Sequence, residues 1–75
     1  MTQYWPNAIA INQIGKPERL FTYSACNSIE QCDKVFDGWK NHYELKLLMT
    51  WVDARYDCGS KKVIHKTEYR QNFYS

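Results

Sequence analysis

The sequence predicts an α+β fold of ββαββ order, a four-stranded, mostly antiparallel sheet with one helix packed on one face. Three observations predict it. Ile29, Cys32, Val35, Phe36, Trp39 and Tyr43 recur at the spacing of one helical stripe. Two strand-like segments flank a turn at Gly15-Lys16-Pro17-Glu18, and two more flank Asp57-Cys58-Gly59. With 75 residues, the chain has room for a single domain spanning 1–75.

Residues 1–7 read as a terminal extension, because Pro6 bars regular structure at Trp5-Pro6, and residues 71–75 read as a second extension. Ala8 to Ile14 places β-branched residues at alternate positions and is expected to be a strand. The turn at 15–18 follows from its chemistry: Gly allows positive φ, and Pro fixes φ and lacks a donor. Arg19 to Ser24 completes the first hairpin. The helix is expected over 28–42. Ser28 with Gln31, or Asn27 with Glu30, has the spacing of a capping box, and Glu30, Asp33, Lys34, Asp37, Lys40 and Asn41 fill the polar side. Gly38, unfavourable in mid-helix by about 1 kcal/mol, is expected to mark a close approach to the sheet.

Leu45–Tyr56 and Lys61–Arg70 form the second hairpin. A two-residue turn would force Cys58 to positive φ, so a three-residue loop with Gly59 alone in the left-handed region is expected. That loop pairs Tyr56 with Ser60, Val52 with Ile64, Trp51 with His65, Met49 with Thr67 and Leu47 with Tyr69. One face then carries Leu45, Leu47, Met49, Trp51, Val63, His65, Thr67 and Tyr69, and is expected to meet the helix. The other carries Leu48, Thr50, Val52, Ala54, Lys62, Ile64, Lys66 and Glu68.

Composition restricts the function classes. Leu, Ile, Val and Phe make up only 15 residues, near the level at which chains stay disordered, but three Trp, six Tyr and a net charge of +2 favour a folded domain. The longest apolar run, Leu47-Leu48-Met49, is too short for a bilayer, so no membrane association is expected. No basic residue precedes Lys16, which speaks against a secretory signal, and three cysteines cannot all pair within one chain. A reducing cytoplasm is the expected setting.

Catalytic chemistry has little to stand on. Cys26, Cys32, Cys58, His42 and His65 lack the short paired spacing of a structural zinc site, so no metal and no cofactor are expected. Cys26, just ahead of the helix, has helix-start N–H groups and His65 as its candidate activators but is expected to be a small residue closing the strand-to-helix corner, and no glycine-rich phosphate loop exists. His42 suits a helix C-terminus, and His65 suits a core edge. The chain is expected not to be an enzyme.

Binding remains. One helix covers one side of a sheet, leaving Leu48, Val52 and Ile64, flanked by Lys62 and Lys66, as the expected contact surface for a protein partner or a second copy in a homodimer. Its role would be that of an accessory, regulatory or inhibitory factor. The chain's own Tyr4, Trp5, Phe73 and Tyr74 are the competing cover. The alternative is a nucleic-acid-binding module on the C-terminal hairpin, using Arg55, Tyr56, Lys61, Lys62, Lys66 and Arg70, where basic and aromatic residues interleave.

Overall fold

The computed structural model describes residues 1–43 and 46–69. The elements are β1 (Gln3–Ile11), β2 (Pro17–Phe21), α1 (Ile29–Tyr43), β3 (Leu47–Arg55) and β4 (Lys61–Glu68). The four strands form one antiparallel sheet in the order β2-β1-β3-β4, with the single helix on one face, as the sequence predicts. Leu45, Arg70 and residues 71–75, including Phe73 and Tyr74, lie outside the described residues.

The first hairpin sits upstream of its expected place. Residues 3–7 are not an extension but the first half of β1, paired with β3 from Gln3↔Arg55 onward. Pro6 is tolerated because β2 reaches only as far as Asn7. The N–H of Tyr4 points away from β3 to the carbonyl of Cys26 (3.1 Å), and position 6, two residues on, points the same way. The proline therefore lacks a donor where no strand needs one. β1 ends at Ile11 because the Asn12 side chain takes over the backbone: Oδ1 accepts from the N–H of Ile14 (3.1 Å) and Lys16 (3.0 Å). Gly15, at φ +83°, closes that turn.

Helix α1 starts one residue later than expected because Ser28 is its N-cap. Its Oγ accepts from the Gln31 N–H at 3.3 Å, while Gln31 Oε1 accepts from the Asn27 N–H at 2.8 Å. Gly38 does not mark a close approach: it is exposed, and a Cβ built there would meet no atom within 4 Å. Gly38→Ala is therefore expected to raise stability by about 0.5–1 kcal/mol, read as a higher urea midpoint at unchanged slope.

The second hairpin turns as predicted. Tyr56 donates to the Ser60 carbonyl at 3.0 Å, and Gly59 alone in the turn has positive φ, +88°. Pairing follows the expected register from Arg55↔Lys61 to Val52↔Ile64. There it shifts: His65 and Lys66 together face Trp51, so Thr50 pairs with Thr67 and Met49 with Glu68. A second shift opposite Ile9/Ala10 leaves Leu48 without a β1 partner.

These features place the core on the face opposite to the expected one. The helix lies over β1 and β3, and the sheet residues beneath it are Ala8, Ala10, Thr50, Val52 and Ala54, all buried. Phe36 and Cys32 pack on Val52, with Tyr4, Cys26, Trp39 and Ile64 around them. Leu47 joins Ala8 and Ala10 in a neighbouring cluster edged by Leu20, Trp39 and Tyr69, because the bulge at Leu48 turns it to the helix side. The physical reason is size. Helix side chains as large as Phe36 and Trp39 come close to a sheet only where the sheet presents small residues. Met49, Trp51 and Val63 consequently face away from the helix.

Candidate binding face

The helix-free face is assembled from all four strands. Register places residues across it in rows: Trp5, Asp53 and Val63; Phe21, Asn7 and Trp51; Arg19, Ile9, Met49 and Glu68. Two arginines cross these rows diagonally. Arg55 lies over the Trp5 ring, 5.0 Å from its centroid, and Arg19 over Trp51 at 5.8 Å. Asn7 connects the rows: its Oδ1 accepts from Arg19 Nη2 (3.1 Å), and its Nδ2 donates to Asp53 Oδ2 and the Trp5 carbonyl, both at 3.0 Å. The network uses both donors of the amide and its oxygen, so a buried asparagine is accommodated here.

Two hollows open on this face. One, of about 320 Å³, is bounded by Trp5, Asn7, Arg19, Phe21, Asp53 and Arg55. The other, of about 290 Å³, lies between Met49, Trp51, Val63 and the stem of Lys66. Phe21 and Val63 are 53% and 56% exposed. The indole N–H of Trp5 is buried without a partner, a donor that folding leaves unused.

The contact residues expected from sequence do not form this surface together. Val52 and Ile64 are cross-strand neighbours, as expected, but belong to the helix-covered core, Val52 at 0% exposure. Leu48 sits half-buried at the bulge, its carbonyl accepting from the Tyr69 N–H. Lys62 is opposite Ala54, a helix-side position. Only Lys66 lines the free face, 3.6 Å from Glu68. Of the alternative set, Arg55 and its pair Lys61 belong to the face, Tyr56 is exposed at the strand end, and Arg70 lies outside the described residues. Trp5, Asn7, Arg19, Phe21, Trp51 and Asp53 were not singled out by sequence as site residues. A usable signal existed in β1, where Pro6, Ala8 and Ala10 alternate with Trp5, Asn7 and Ile9.

On the helix side, His65 departs from its expected pairing with Trp51. At the bulge it adopts φ +53°, stacks on Phe36 (centroids 6.4 Å apart) and reaches Asp33 Oδ1 with Nε2 at 2.7 Å. It ties the edge strand β4 to α1. Cys58, exposed in the turn, is held below the ordinary thiol range by the Ser60 hydroxyl at 3.0 Å and the Ser60 backbone. Among the described residues, no three His, Cys, Asp or Glu side chains group as a metal site, and no helix is long and apolar enough to cross a membrane. No family model, curated protein or solved structure matches this chain.

Proposed function

We propose that this protein is a non-catalytic binding module whose helix-free sheet face docks an acidic, partly apolar surface of another protein. The observation that carries this reading is the pair of tryptophans held under arginines, Trp5 under Arg55 and Trp51 under Arg19, beside exposed Phe21 and Val63. Trp and Arg dominate the energetics of protein interfaces, where a ring and a planar guanidinium combine large contact area with directional hydrogen bonding. Charge indicates the partner's sign. Arg19, Arg55, Lys61 and Lys66 outnumber Asp53 and Glu68 on this face, which favours acidic groups opposite. The same charge disfavours a homodimer through the face, since an isologous contact sets the patch against itself. The odd number of cysteines, three, favours a reducing, cytoplasmic setting.

The decisive test uses Phe21→Asp/Val63→Asp, two exposed positions whose change leaves the helix-side core untouched. Immobilised wild type is expected to retain a defined protein from native lysate that elutes with salt, and the double variant, folded by circular dichroism, is expected to lose it. Equal retention by both would reject the face. The nucleic-acid reading draws on the same aromatic–guanidinium pairs, which also suit stacked bases. Tryptophan quenching by a thymidine oligonucleotide, weakening steeply between 50 and 200 mM salt, would replace the protein reading with that one.

A further inference from the structure

Two of the three cysteines meet at one backbone oxygen, Cys26 through its N–H and Cys32 through its thiol. After β2 the chain makes a lone bridge to β1: Tyr4 N–H donates to the Cys26 carbonyl at 3.1 Å, and Cys26 N–H donates to the Tyr4 carbonyl at 2.7 Å. In the first turn of α1, Cys32 directs its Sγ at that same Tyr4 oxygen, 3.9 Å away. The N-cap at Ser28 holds the turn between them, and the two cysteines pack in one cluster beside Tyr4. Their exposure differs: Cys26 is half-buried and Cys32 is fully buried.

We propose that Cys26 and Cys32 are a reversible dithiol–disulfide site, in which Cys26 reacts first with a hydroperoxide and Cys32 resolves the product. The less buried member meets the oxidant. Cys26 sulfur attacks one peroxide oxygen, forming an S–O bond and breaking O–O; the departing oxygen takes up the thiol proton and leaves as water or an alcohol. Cys32 sulfur then attacks the Cys26 sulfenic sulfur, S–S forms, and the hydroxyl leaves as water with the Cys32 proton. Each sulfur gives up one electron, and the two electrons reduce the peroxide.

The surroundings separate the two roles. Burial pushes the Cys32 thiol up to about 12, and the hydrogen bond and charge of Cys26 push in the same direction, so Cys32 does not compete for the oxidant at neutral pH. Cys58 is exposed in the turn between β3 and β4, and its hydrogen bond is to Ser60.

The test is made in Cys58→Ser protein, which leaves the pair as the only thiols. Native protein treated with hydrogen peroxide is expected to lose the mass of two hydrogens, to stop taking up iodoacetamide, and to recover both properties with dithiothreitol. Cyclisation should run about tenfold or more faster in the native fold than in urea, because the fold holds the sulfurs together. With Cys32→Ser added, Cys26 should instead accumulate as a sulfenic acid that dimedone traps. Persistence of both free thiols in the oxidised native protein, cross-linked dimers as the main product, or faster closure in urea would each overturn the proposal.

Discussion

Val52→Lys is expected to leave the protein unfolded at 25 °C. Val52 is 0% exposed, lies between Pro6 and Ile64 in the sheet and packs against Cys32 and Phe36 from the helix. Removing it forfeits about 1.5–3 kcal/mol of apolar burial, and an ammonium with no carboxylate in that cluster costs several kcal/mol more. Together these approach the whole stability of a domain this size, about 4–11 kcal/mol at ordinary values per residue. Val63→Lys, one position along β4 from Ile64, should do little. Its side chain is 56% exposed on the opposite face, and substitutions at such sites usually change stability by about 0.5 kcal/mol or less. Urea unfolding followed by far-UV circular dichroism distinguishes the two. A cooperative Val52→Lys protein alongside an unfolded Val63→Lys protein would mean that the helix covers the other side of the sheet.

Phe36→Ala is expected to cost about 3–5 kcal/mol. Phe36 is the largest apolar group that the helix buries. It packs on Val52 and Cys32, meets Trp39 at 5.9 Å between ring centroids, and stacks with His65. Truncation opens a cavity between two rigid layers and also removes the surface on which His65 rests above Asp33, loosening β4 from α1. The urea midpoint should fall by roughly a quarter or more while the slope of the transition stays near the wild-type value. A midpoint within experimental error of wild type would show that the stripe Cys32–Phe36–Trp39 is not the packed face of the helix.

Both expectations depend on which side of the sheet the helix covers, and here sequence and structure part. Element identity was legible because it is local. The helical stripe, the Ser28–Gln31 cap and the requirement for Gly59 at positive φ concern residues within a few positions of one another, and all three occur. The start of β1 was misread for an equally local reason, since Pro6 looks like a strand breaker until the strand beside it is known to stop at Asn7.

The binding face was less legible. Choosing the larger residues of β3 as core is a sound rule when the covering layer is unknown. It fails here because Phe36 and Trp39 already fill the space, and the sheet complements them with Ala8, Ala10, Ala54, Thr50 and Val52. The arginines were hidden differently. Arg19 and Trp51 lie on strands that never pair with each other, and only the insertion of β1 between β2 and β3 brings them together through Asn7.

By itself the sequence determined the ββαββ order, the helix and its cap, the turn at Gly59 and the Val52–Ile64 pairing, because each is set by backbone sterics and periodicity over short spans. Tertiary structure alone decided the strand order, the two bulges and the face the helix covers. Those outcomes depend on volumes and hydrogen bonds matched between residues far apart in the chain, and a single-residue shift in register exchanges the two sides of a strand.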